Sequence, residues 1–255
     1  TARDALIRRL RVEVQPRARR AIARALGDFV HDVAAGAALA AIVETGDASY
    51  FVEAEACLAL GKTRYARAGE LLRKAATRES YTDVIRQHAY KGLAEARDDS
   101  ALGLLADGAQ WGRPTQGRRA AGGALAQLVR GRRDREARDV RERIEQLLLD
   151  RDFRVQAAAI EAVSSIGDAA SVGPLRRMID RELDGRLRRR GKEIIRDLEA
   201  GAPLGEDVRR LRDEIGELRA LTSALRERLE TLETGPAGKK TKRGGKDKRK
   251  KKKRR

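Results

Sequence analysis

Aromatic residues are nearly missing from this chain: eight in 255, one of them a tryptophan. A domain built around one large core usually uses more. Helices stacked through small side chains need few, because small residues let helices approach closely. There is one cysteine, Cys57, so no disulfide can form within the chain. That fits a reducing compartment, and the cytoplasm is the expected location. The two histidines, His31 and His88, each lack a second His at metal-ligand spacing, and one Cys cannot build a zinc site. No cofactor is therefore expected in this chain. No H-E-x-x-H, G-x-S-x-G or G-x-x-x-x-G-K-[ST] occurs. No run of 18 apolar residues occurs either, so no membrane span is expected. The most apolar stretch, Val33 to Val43, is too short to span and lacks a signal-peptide cleavage pattern.

What the chain has is charge and period. The formal net charge is +18, unevenly spread. Residues 239–255 hold thirteen Lys or Arg and one acid, Asp247, and so carry +12 of it, leaving +6 on the other 238 residues. The body has a mixed-charge surface.

A helical phrase recurs six times. Its first apolar residue falls at Ala18, Val52, Ile85, Gly117, Val155 and Leu187, spaced 34, 33, 32, 38 and 32 residues apart. Four positions on stand Ile22, Ala56, Ala89, Ala121, Ala159 and Gly191. Eight positions on stand Leu26, Leu60, Leu93, Leu125, Val163 and Ile195. A fixed period in this range means stacked supersecondary units, an α-solenoid. Each repeat reads as two helices, the second carrying the phrase. The first helices are expected at about 32–44, 66–78, 100–110, 134–149 and 170–182. Ser49, Thr82, Pro114, Asp152 and Asp184 mark starts of second helices. Gly27, Gly46, Gly61, Gly112, Gly131, Gly167 and Gly185 read as joints. The long 38-residue interval coincides with Arg130-Gly131-Arg132-Arg133-Asp134. Cys57 falls at an inward position, a small core residue rather than a nucleophile.

After Gly201-Ala202-Pro203 the period changes to a heptad: Leu204, Val208, Leu211, Ile215, Leu218, Thr222, Leu225, Leu229 and Leu232. Steps of four and three over four heptads predict a coiled-coil helix over 203–234, its heptad stretch from Leu204 to Leu232 about 43 Å long. In a parallel dimer Asp207–Arg212, Glu214–Arg219 and Arg228–Glu233 would face one another, all attractive. The heptad residues are the expected oligomer interface; packing back on the solenoid as a cap is the alternative. Residues 235–255 cannot bury a core and are expected to be disordered. Lys239, Lys240, Lys242, Arg243, Lys246, Lys248, Arg249, Lys250, Lys251, Lys252, Lys253, Arg254 and Arg255 are the candidate polyanion-binding residues, with nucleic acid a possible partner.

No converging catalytic set is visible. Asp98, Asp99, Glu53 and Glu55 read as caps and solvated faces. Trp111 reads as packing between repeats. One position after each phrase start stand Arg19, Arg86, Arg118 and Arg188, with Glu53 and Gln156 in the other copies. The simplest account is a ladder in which each guanidinium bridges to an acid of the neighbouring repeat. An anion-binding stripe is the alternative. Arg20, Arg24, Gln87, Lys91, Arg119 and Arg189 are the candidates for a binding face on the second helices. With Glu161 and Glu193 beside them, the face is too mixed in sign for a duplex groove.

The phrase apolar-Arg-x-x-Ala-x-x-x-Leu followed by Gly is similar to HEAT repeats over about 12–199. That resemblance implies an all-α, HEAT-like solenoid of about six helix pairs in residues 1–200. Residues 47–63, 84–94 and Trp111-Gly112-Arg113-Pro114 resemble the C-terminal HEAT-like region of bacterial M1-family metallo-aminopeptidases. In that family an upstream domain carries H-E-x-x-H and a distal Glu around zinc. None of those residues is present here, so zinc is expected only in an absent upstream domain. The chain begins with Thr1, which fits a C-terminal fragment of something larger. The resemblance implies a non-catalytic positioning module beside such a domain. The alternative is a stand-alone scaffold that dimerises through its heptads and binds polyanions through its tail.

Overall fold

A computed structural model describes residues 1–201 together with Ile215 and Thr222. Twelve α-helices fill the described chain: α1 (Ala2–Val12), α2 (Pro16–Leu26), α3 (Val33–Thr45), α4 (Tyr50–Thr63), α5 (Ala68–Ala75), α6 (Val84–Glu95), α7 (Leu102–Gly108), α8 (Thr115–Val129), α9 (Arg135–Leu147), α10 (Phe153–Ile166), α11 (Val172–Arg181) and α12 (Gly185–Glu199). They form six successive pairs. The even-numbered helices carry the recurrent phrase and stack on one another in chain order from α2 to α12. This is an α-solenoid of the HEAT-like kind. The heptad segment and the basic tail lie outside the described residues, except that Ile215 and Thr222 are helical and exposed.

The helices start where short polar residues accept first-turn N–H groups. Asp32 Oδ1 accepts from Ala35 N at 2.9 Å, Asp134 Oδ1 from Ala137 N at 2.9 Å, and Asp152 and Asp184 do the same for α10 and α12. Two expected caps differ. The Ser49 side chain makes no cap bond; instead Asp47 accepts the Ser49 N–H. Thr82 lies in a short 3₁₀ turn, Tyr81–Asp83, that precedes α6. The helix α1 was not foreseen, because it lies upstream of the first copy of the phrase and buries only Leu10.

The interior is two facing rows. Leu26, Leu60, Leu93, Leu125 and Val163 are sealed along the second helices, and Leu39, Leu72, Leu105, Ile144 and Leu175 along the first. They belong to one continuous core. Each such burial contributes roughly 1.5–3 kcal/mol.

Small residues set the spacing of the stack. A Cβ on Gly61 would lie 2.0 Å from the Gly92 carbonyl oxygen, and one on Gly92 would lie 2.5 Å from that of Cys57. Thus α4 and α6 touch backbone to backbone. Gly61 is therefore not a joint: it sits inside α4 and is required by close approach. The same two phrase positions are small along the array until α12, where Ile194 stands. There the second helices pack least extensively.

Candidate interaction surface

An up-and-down array has two edges. The turns inside repeats (α1–α2, α3–α4, and so on) lie along one, and the turns between repeats along the other. Ion pairs join three of the five pairs of successive inner-repeat turns. Arg19 reaches from α2 to Asp47 at 2.7 Å, and Arg118 reaches from α8 to Asp150 with two bonds of 3.0 Å. Glu53 pairs with Arg78, the same rung with its charges exchanged. Each turn acid also holds its own turn. Glu13, Asp47, Asp150 and Glu182 all stand five residues before the phrase start. Each accepts the N–H two residues on, at 2.8–2.9 Å. Where the α7–α8 turn offers Gly112 instead, Arg86 bonds within its own repeat, to Asp83 at 2.5 Å and the Ala76 carbonyl at 2.8 Å. Arg188 lies exposed on α12, the last helix of the described array. The recurrent arginine is thus a structural rung at Arg19 and Arg118.

The expected binding face is largely engaged with itself. Arg20 and Arg24 both bond Glu55, at 2.9 and 2.8 Å. Burial opposes charge on Glu55, but the hydrogen bonds from Arg24 and Arg20 outweigh it and bring its pKa down from 4.5 to about 2. Glu53 and Glu55 are therefore not solvated surface acids; both are buried and paired. Gln87 donates to the Thr82 carbonyl at 2.9 Å, and Arg119 donates to Gln116 at 2.7 Å. Lys91 is exposed. Arg189 pairs with Glu193 at 3.1 Å beside a shallow depression of about 740 Å³ on α12, also lined by Arg188, Lys192 and Arg196.

What composition alone did not show is where the scarce aromatics go. Tyr50, Phe51, Tyr81, Trp111 and Phe153 are exposed, five of the eight in the chain. All five lie on the inner-repeat-turn edge. Val12, Val14, Leu149 and Leu183 are exposed on the same edge, so every one of its six turns presents a large apolar side chain. The opposite edge of the described array exposes only Val30 and Val33. Trp111 is 64% exposed, and it touches two successive repeats: the guanidinium groups of Arg118 in its own repeat and Arg151 in the next lie 5.5 and 5.4 Å from its ring centre. A groove of about 480 Å³ runs between the Tyr81 turn and the start of α8, lined by Glu79, Thr82, Pro114 and Thr115 among others. A signal for this edge existed in the alignment: the five aromatics stand one to six residues before a phrase start.

Cys57 and His88 are withdrawn from solvent, while His31 is exposed. Burial, with Glu53 nearby, pushes the Cys57 thiol up to about 12. His88 is half-buried and held below its ordinary value by burial, with Nδ1 2.9 Å from the Val84 carbonyl. Among the described residues no group of three or more His, Cys, Asp or Glu could hold a metal ion, and no helix is long and apolar enough to cross a membrane.

No family model and no curated protein matches the chain. Solved structures do. An engineered protein solved by the Northeast Structural Genomics Consortium is 18% identical, with a TM-score of 0.52, over 78% of this chain and 99% of its own. A second engineered protein from that consortium is 16% identical, with a TM-score of 0.49, over 79% and 98%. The complex of CpcE and CpcF of phycocyanin lyase from Nostoc sp. PCC7120 is 18% identical, with a TM-score of 0.43, over 77% and 94%. The likeness is one of fold, an all-helical repeat.

Proposed function

We propose that this chain is a non-catalytic protein-docking module, a solenoid that displays an apolar edge to a partner protein. The observation that carries this reading is the confinement of the exposed aromatics to the inner-repeat turns. Large apolar side chains left in water at regular intervals along one line mark an interaction site. Aromatic residues also supply most hot spots of protein interfaces. The rungs beneath them support the reading further, because a row of turns fixed by ion pairs loses little entropy on docking.

The module serves in either of two settings. In one it is the C-terminal region of an M1-type zinc aminopeptidase, docking partners or its own catalytic domain. In the other it stands alone, dimerises through the heptads at 204–232 and holds polyanions with the tail at 239–255. The mass of the native gene product, and H-E-x-x-H in its upstream peptides or none, separates the two.

The docking role is tested by photo-crosslinking in source cells. A photoreactive side chain replaces Tyr81 on the edge or Ala37, exposed on α3 away from it. Discrete protein adducts from position 81 and none from position 37 are expected. Equal yields from both positions would sink the proposal.

A further inference from the structure

The apolar edge is not uniform in charge, and that polarity identifies the chemistry of what docks at one end of it. Around Trp111 and Phe153 the exposed charged side chains are three arginines, Arg113, Arg151 and Arg154, and one acid, Asp107, which accepts from the Gln110 side-chain amide at 2.9 Å. The acids there are already used. Both oxygens of Asp150 are held by Arg118, and that carboxylate is almost sealed from water. Asp152 caps α10 through the Arg154 N–H and accepts the Thr115 hydroxyl. Arginine also stacks on the aromatic groups. The Arg154 guanidinium lies 5.2 Å from the Phe153 ring centre, and Arg151 is one of the two over Trp111. The second of those, Arg118, is fixed by Asp150 and by the Arg113 carbonyl, so the indole rests on an immobile support. By contrast the Tyr81 turn exposes an acid, Glu79.

Resting on the docking role of the edge, we infer that the Trp111–Phe153 patch receives an acidic segment of a partner protein in which Asp or Glu flanks an aromatic or aliphatic anchor. The anchor would pack on the exposed rings, and the carboxylates would meet the three arginines in charge-assisted hydrogen bonds. Charge selects this occupant over others. The chain's own tail at 239–255 carries +12 and is repelled. A second copy would present the same positive patch. A nucleic-acid strand needs a continuous basic track, and exposed acids interrupt the edge on both sides of the patch, Glu79 at the Tyr81 turn and Asp180 at the end of α11.

The test uses the full chain and exploits Trp111 as the only tryptophan. The probe is a synthetic decapeptide of Asp and Glu with two Phe and two Leu, fluorescein-labelled for anisotropy. Its counterpart has every acid replaced by Lys, and poly-Glu reports binding to the tail. The acidic decapeptide is expected to bind at least tenfold more tightly than the Lys form and to shift Trp111 emission saturably. Poly-Glu is expected to leave the emission unmoved. The double variant Arg151→Glu/Arg154→Glu, whose substitutions are at exposed positions, should keep its melting temperature and lose the Trp111 emission shift with the acidic peptide, while binding through the tail persists in anisotropy. Binding that leaves Trp111 emission unchanged, an undiminished emission shift in the double variant, or a saturable shift with oligo-dT in place of the peptide would each overturn the inference. If crosslinks at position 81 persist while the decapeptide fails, the acidic-segment inference falls and the docking role stands.

Discussion

Glu55 shows how a residue's meaning depends on a neighbour 30 positions away. Its own helix marks it as an exposed acid, yet Arg20 and Arg24 of the preceding repeat cover it. Its folded-state pKa, about 2, lies below the ordinary 4.5. The pair therefore stabilises fully above the higher value, and that stability is lost as pH falls through the lower one. Discounted for the exposure of the two guanidinium groups, the effect is on the order of 1–2 kcal/mol. Glu55→Gln should lower the melting temperature at pH 7, and the gap to the unsubstituted protein should close between pH 4.5 and 2. A gap independent of pH would remove the ion pair as its cause. Arg118 and Asp150 are more deeply enclosed. Truncating Arg118→Ala strands a buried carboxylate, and chemical denaturation should register a loss of roughly 3–5 kcal/mol. These partners were not legible in the sequence. The ladder was foreseen as a pattern, but its acids sit in turns that only stacking brings under the arginines.

At the scale of elements, the second helices were legible because burial repeats at fixed phrase positions: 0, +4 and +8 are buried except at Ala18 and Ile195, which are half-buried, and in α12 Ile194 is the sealed residue instead. The five first helices placed from the sequence fall within a few residues of α3, α5, α7, α9 and α11. Glycine was harder to read. Gly46, Gly112, Gly131 and Gly167 end or link helices with positive φ, as joints should. Gly61 does not, because its role is contact with Gly92 across the α4–α6 seam. Local sequence cannot distinguish a glycine that turns from a glycine that makes room. Gly92→Ala, a favourable change in an isolated helix, should therefore destabilise the protein by about 3 kcal/mol or more, because the new methyl meets backbone rather than a movable side chain. A melting temperature at or above that of the unsubstituted protein would contradict the seam. Leu93→Ala, next to it and sealed, should cost about 2–5 kcal/mol.

At the scale of the whole molecule, stability and display are carried by different residues. The interior is aliphatic and small, the turns are held by ion pairs, and five of the eight aromatics support neither. Sequence reasoning reached the fold through the period and looked for function on the second-helix faces and beyond residue 203. It passed over the edge because turns are scored by their glycines and caps, and exposure of a turn aromatic is settled only once the repeats stack. The most direct measurement is made on the variant Tyr81→Ser/Trp111→Ser/Phe153→Ser in source cells, comparing the apparent size of the native gene product with and without the substitutions and its melting temperature in isolation. A display edge predicts that the unsubstituted protein runs in a larger assembly, and that the variant leaves it while its melting temperature stays within a few degrees. An assembly that survives the three substitutions, or a melting temperature that collapses with them, would contradict the account.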